Sequence, residues 1–364
     1  MEQVSSNTIA GSLGERSSAN LLPRRWFLVS LLVGTWVPIA FFILIAPSVG
    51  QSGGLANLKA VFLFLGTAHV PATLFFYADK DFSSIRKSHR VRYILTPIVL
   101  IVVTGLVFAF ASFTIQAFAL LLYWAWQAFH YGRQNVGIYA FASIAETGRA
   151  PKKAEKIAID CGTVLAILGT FKVLGAAVAP PYLRVSFDYL YQIGFVSFFA
   201  LAVFSVAVYL KYFQNTSFFK TLFFFTSVFF FAPVFISTDN NIGFLSYAIA
   251  HGLQYIIFMS VISFSSGNDK VRPMLYKNVG VFLVFLLVVG FAFWRVNDLR
   301  QIEFVKSTWA YARIADFFFG AVLGATMSHF VIDASAWRLS MAKQRSYITK
   351  RFNFVFDPQI TQIR

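Results

Sequence analysis

Runs of about 20 apolar residues recur along this chain from end to end, and each is long enough to cross the roughly 30 Å hydrocarbon core of a bilayer as a helix. A soluble core would interrupt such runs with polar faces. The runs cover Trp26–Ile45, Leu58–Tyr77, Val91–Phe110, Phe113–Tyr131, Ile157–Ala179, Tyr189–Leu210, Phe218–Ile236, Ile242–Phe264, Val279–Trp294 and Trp309–Ile332. Only 13% of the residues are charged, roughly half the share of a soluble domain, and mean hydropathy is +0.67. The pattern predicts an all-α, polytopic integral membrane bundle of about ten transmembrane helices. Between the third and fourth runs only Ala111-Ser112-Phe113-Thr114 can supply the turn, and the ninth run is short.

The net charge of +16 would suit a nucleic-acid binder if it formed one basic patch. It is instead divided among short connections, so no nucleic-acid partner is expected. Lys80, Arg86, Lys87, Arg90 and Arg92 follow the second run; Arg133, Arg149, Lys152, Lys153 and Lys156 follow the fourth; Lys270, Arg272 and Lys277 follow the eighth. The alternate connections, such as Ser48–Asn57, are almost free of Lys and Arg. Basic residues collect on the cytoplasmic side, so both termini are expected there, in a bacterial inner (plasma) membrane whose lipids are the chain's first partner. Residues 1–25 read as a disordered cytoplasmic tail, 26–338 as the transmembrane domain and 339–364 as a basic cytoplasmic C-terminal tail. Arg24-Arg25-Trp26-Phe27-Leu28 resembles a twin-arginine export signal. The apolar stretch after it is longer than a signal-peptide core and lacks a clear cleavage pattern, which favours a first transmembrane helix. The one cysteine, Cys161, permits no intrachain disulfide and no CxxC motif.

Four of the five histidines lie inside the apolar runs, one per run: His69, His130, His251 and His329. An ionisable group within a membrane span is costly unless it faces the bundle interior and has a partner, which makes it a functional-site candidate. By the charge pattern, all four runs point from the outer face to the cytoplasm, so their histidines can converge on one cavity. Each has polar company at helical spacing. Asp333 lies four residues after His329. Gln127 and Gln134 flank His130, Gln254 and Tyr255 follow His251, and Thr73 follows His69 with Pro71 loosening the helix between them. These residue types suit a metal site. Imidazole binds iron, copper and zinc, and histidines with one carboxylate form the ligand set of many non-haem iron oxygenases. The candidate ligands are His69, His130, His251, His329 and Asp333. Gln127, Gln134, Gln254, Thr73 and Tyr255 are expected to orient them from behind. The bland alternative is that each histidine bridges two helices by hydrogen bonds.

Pattern excludes several classes. Membrane desaturases need paired histidine boxes, which five histidines cannot supply, and no HExxH occurs for a zincin. The expected function is a multi-pass, metal-dependent oxidoreductase, with iron or another transition metal, acting on a lipophilic small molecule such as a lipid, sterol-like or carotenoid substrate. A haem-binding redox subunit and a metal-free, proton-coupled transporter are the alternatives.

Overall fold

A computed structural model describes residues 21–45, 69–172, 181–214, 216–237, 240–264 and 308–356, with positions 288, 291, 292 and 295. All regular structure among the described residues is helical. In chain order the helices are α1 (Leu21–Ala40, continued by a π-helical turn Phe41–Ile45), α2 (Phe75–Ala78), α3 (Ser83–Ser88), α4 (Thr96–Phe110, entered through a π-helical turn Val91–Leu95), α5 (Phe113–Thr147), α6 (Lys153–Thr170), α7 (Pro181–Tyr212), α8 (Phe218–Val228), α9 (Pro233–Ile236), α10 (Asn240–Phe264), α11 (Trp309–Ala336) and α12 (Ala342–Arg351). Among the described residues, five segments are long and apolar enough to cross a membrane: Pro23–Leu44, Val91–Phe110, Tyr182–Tyr212, Ile242–Ser263 and Trp309–Ala336. Their outward faces suit lipid: Val99, Val102, Val103, Leu106 and Phe110 of α4 are exposed, as are Ile193, Val196, Phe199 and Val203 of α7.

The helix boundaries differ from the sequence reading where charge or proline misleads it. The break between α4 and α5 does fall at Ala111–Ser112. Gln116 Nε2 donates to the carbonyls of Phe108 (2.9 Å) and Ala111 (3.1 Å), filling acceptors that a helix end leaves open. The fourth run does not stop at Tyr131. It continues to Thr147 and ends at Gly148, whose φ of 69° is the left-handed conformation that favours glycine at a helix C-terminus. Arg133 is therefore a helical residue, and it pairs with Asp160 of α6 at 3.0 Å. The seventh run is two pieces, α8 and α9, with a turn at Phe229–Ala232 before Pro233. Most of the second run, nearly all of the ninth and the first twenty residues lie outside the described residues.

Two packing devices fix the centre of the bundle. On α11, Gly320, Gly324 and Ser328 are spaced by four and face α4. A Cβ on Gly320 or Gly324 would collide with the carbonyl of Thr104 or Leu100, and Ser328 Oγ donates to Pro97 O at 3.2 Å. Small residues at this spacing let two backbones approach closely. Across the bundle, Gln254 Nε2 of α10 donates to Thr35 Oγ1 of α1 (2.7 Å), while Gln134 Nε2 of α5 donates to Gln254 Oε1 and to His251 O (3.2 Å each). One buried amide chain thus ties three helices together.

The segment after α11 folds back onto the bundle. Tyr347, Ile348, Phe352, Val355 and Phe356 are buried in the main core with Phe27, Phe141 and Phe258. Arg351 is 3% exposed. It donates to Asp79 (2.9 Å to Oδ2), Asp81 (3.0 Å) and the carbonyl of Ile262 (3.2 Å). Tyr347 donates its hydroxyl to Asp79 Oδ2 at 2.6 Å, and Lys350 pairs with Asp81 at 3.1 Å.

Candidate metal centre

The four histidines arrive from four different segments. His130 lies near the middle of α5 and His251 near the middle of α10, His329 lies in the second half of α11, and His69 opens the short helical stretch 69–72. All four are buried, and their rings meet. Centroids stand 4.8 Å apart for His69–His251, and 5.0 Å apart for His69–His329, His130–His251 and His130–His329; His251 and His329 oppose each other at 6.5 Å. Every one of these contacts is edge-on, with interplanar angles from 68° to 84°. Rings sharing an ion at nitrogen distances of about 2.0–2.1 Å must present edges to it instead of stacking.

Aromatic neighbours hold two of these edges in place. Tyr131 stacks on His251 at 3.9 Å, and Phe330 stacks on His130 at 4.3 Å. With a face covered, each imidazole can turn only its rim towards the others. Gln127 acts one step further out, donating to the Tyr131 hydroxyl at 2.5 Å.

The nitrogens on these rims are the chemical anomaly. Among the described residues, His130 Nε2, His329 Nε2 and both ring nitrogens of His251 are buried without a hydrogen-bond partner. Leaving a buried polar atom unpaired costs about 1–3 kcal/mol, and here several such atoms face one another. Among the described residues, two groups could hold a metal ion, each with ligand atoms within 4.8 Å of one another: His69, His251 and His329, and His130, His329 and Asp333. His329 belongs to both.

Asp333 is 5% exposed. Its Oδ2 lies 3.6 Å from His329 Nε2, beyond hydrogen-bond length. Its Oδ1 accepts the Tyr255 hydroxyl at 2.9 Å; Tyr255 in turn meets Thr73 Oγ1 at 3.0 Å, and Thr73 Oγ1 meets His329 Nδ1 at 2.5 Å. Thr73 thus touches the histidine of another helix, not His69 four residues before it. The cause is local. After Pro71 the chain winds through i→i−3 bonds, Thr73 N to Val70 O (3.2 Å) and Leu74 N to Pro71 O (2.9 Å). Three residues per turn, in place of 3.6, carry Thr73 off the stripe it would share with His69.

Of the residues expected to orient the rings, Thr73 reaches a ring nitrogen and Tyr255 reaches the carboxylate. Gln127 works through Tyr131, and Gln134 and Gln254 bond each other, Thr35 and the His251 carbonyl; none of the three amides touches a ring nitrogen in a described hydrogen bond. Tyr131 and Phe330 are the residues that helical spacing misses, because stacking on a neighbouring helix leaves no periodic trace. No protein-family profile, no curated protein and no solved structure matches this chain.

Proposed function

We propose that the four histidines bind one transition-metal ion, non-haem iron foremost, and that the chain is a multi-pass membrane oxidoreductase acting on a lipophilic substrate. The observation that carries this reading is the meeting of four buried, edge-on imidazoles, with His130 Nε2, His329 Nε2 and both ring nitrogens of His251 buried without a hydrogen-bond partner. Structural histidines use such nitrogens to hydrogen-bond backbone or side chains. Here they are left facing a common interior, beside a carboxylate. His69, His130, His251 and His329 serve as ligands, and Asp333 Oδ2 stands as a further oxygen donor next to His329. Nitrogen and carboxylate donors together fit iron. Bound there, iron supplies redox chemistry towards dioxygen in a site that excludes bulk water.

The spacing of the rings favours a bare ion over haem. His251 and His329, at 6.5 Å, resemble an axial pair, but His69 and His130 each stand near 5 Å from both and fill the plane a porphyrin needs. The surroundings favour an apolar substrate. Phe330 packs against His130 on one side and against Tyr123 and Trp126 on the other, and Trp126 is only half-buried. Next to it on α5, Leu122 and Phe129 are exposed on a lipid-compatible face. An aromatic wall of this kind suits an apolar molecule better than a hydrophilic one. On the charge pattern, the end closed by Arg351 and Tyr347 is cytoplasmic.

Elemental analysis and visible absorption of the detergent-purified chain test the reading together. The expected result is about one transition-metal ion per chain, no Soret band, and loss of the ion in each of the four His→Ala variants. Full metal retention across those variants would falsify it, and a stoichiometric Soret band would replace it with the haem reading.

A further inference from the structure

The hydrogen bonds behind His329 have a direction that can be worked out by counting protons. A tyrosine or threonine hydroxyl has one proton to donate. Tyr255 gives its proton to Asp333 Oδ1 at 2.9 Å. Towards Thr73, 3.0 Å away, Tyr255 can therefore only accept, so Thr73 is the donor there. Its own proton is then committed, so in the 2.5 Å contact with His329 the threonine oxygen accepts and Nδ1–H donates. A neutral imidazole protonated at Nδ1 has its lone pair at Nε2. That nitrogen is the one turned inwards, without a hydrogen-bond partner, 3.6 Å from Asp333 Oδ2.

We infer that Thr73 and Tyr255 are positioning residues. With Asp333 they form a relay that locks His329 into the tautomer presenting a bare Nε2 to the centre. The inference rests on the metal-centre reading and adds to it a reason why the ion is held. The relay runs from one carboxylate oxygen, through two hydroxyls, to the far side of the imidazole. It closes a loop in which the other carboxylate oxygen and Nε2 face each other as two electron-rich atoms. With Asp333 ionised the two repel, and a cation between them relieves the repulsion. The usual arrangement of a ligating histidine backed by a carboxylate is here extended by two hydroxyls. The tight turn after Pro71 is what makes the extension reach, because it swings Thr73 across to α11.

The test is titration of the metal-stripped, detergent-solubilised chain with Co(II), followed by its visible ligand-field bands. Thr73→Val and Tyr255→Phe each remove a hydroxyl with little change of shape. Each is expected to weaken Co(II) binding about 10- to 100-fold, with the stoichiometry kept. Either break cuts the same chain, so the double variant should bind no more weakly, within about twofold, than the weaker single variant. Thr73→Ser should restore wild-type binding. Wild-type affinity in Tyr255→Phe overturns the relay even if Thr73→Val does not fold, and so do losses that multiply in the double variant. A wild-type chain that takes up no Co(II) overturns the metal centre and the relay together, so the two failures read differently.

Discussion

Two polar clusters among the described residues are built in different ways. At the end of the bundle, the Arg351 guanidinium is met by both oxygens of Asp79, by Asp81 and by a backbone carbonyl, while Tyr347 and Lys350 fill remaining sites on the carboxylates. In the interior, the histidines meet rim to rim and leave several nitrogens without a hydrogen bond. The first cluster pairs its charges within the protein and leaves Arg351 Nε buried without a hydrogen bond. The second gathers several such nitrogens in one place, in groups that could hold a metal ion. Burial of polar groups therefore does not by itself single out a site; several unmatched nitrogens on neighbouring rings call for a specific explanation.

The contrast breaks most directly at His329, which belongs to both groups of ligand atoms. His329→Ala should lower metal affinity by more than the roughly 100-fold typical of changes behind a ligand, read by elemental analysis after dialysis. Metal content equal to wild type would place the two clusters in the same class. Arg351→Met should do the reverse. It strands Asp79 without its cation, and breaking a buried pair costs about 3–5 kcal/mol, so thermal stability in detergent falls while the folded fraction keeps its metal. Loss of metal at unchanged stability would contradict that separation.

A smaller effect is expected at the α4–α11 contact that sets the depth of His329. Gly324→Val forces a Cβ against the Leu100 carbonyl, an overpacking that costs about 1–3 kcal/mol. Metal affinity should weaken with it, because α11 must shift; a variant that is both stable and metal-replete would show that the close approach does not position the site. The smallest effect is an acid one, at the rim of the salt-bridge cluster. Lys350, by hydrogen bond and charge, and then Arg351 hold the Asp81 carboxyl below its ordinary value of 3.8. The folded pKa is depressed, so the stabilisation is present above the ordinary value and is lost as pH falls through the folded one. Asp81→Asn should flatten the stability profile below about pH 4 and leave it unchanged near neutrality.

The histidines are legible in the sequence because an imidazole inside a long apolar run is too costly to stand there without a partner. Their wiring is less legible. Thr73 shares a helical face with His69 only if the chain stays α-helical through Pro71, and it does not. Gln134 and Gln254 have the spacing of ring partners, but an amide can satisfy itself on another amide, and these two do. Arg133 reads as a loop residue by charge alone, whereas a partner on the neighbouring helix, Asp160, lets α5 run on for sixteen residues beyond Tyr131. The basic stretch after residue 339 reads as a tail if its lysines and arginines are weighed. Its aromatic residues, Tyr347, Phe352 and Phe356, carry the opposite signal, and they are the ones buried.

For any ion the histidines hold, their depth bears on timing as well as on affinity. None of the four is more than 6% exposed, and Tyr131 and Phe330 cover faces of two of them. A chelator in solution has no atom to grip until the helices part. Ion release should then proceed at the rate of that opening and be indifferent to how much chelator is added, and loading should be easiest while the bundle is still being assembled.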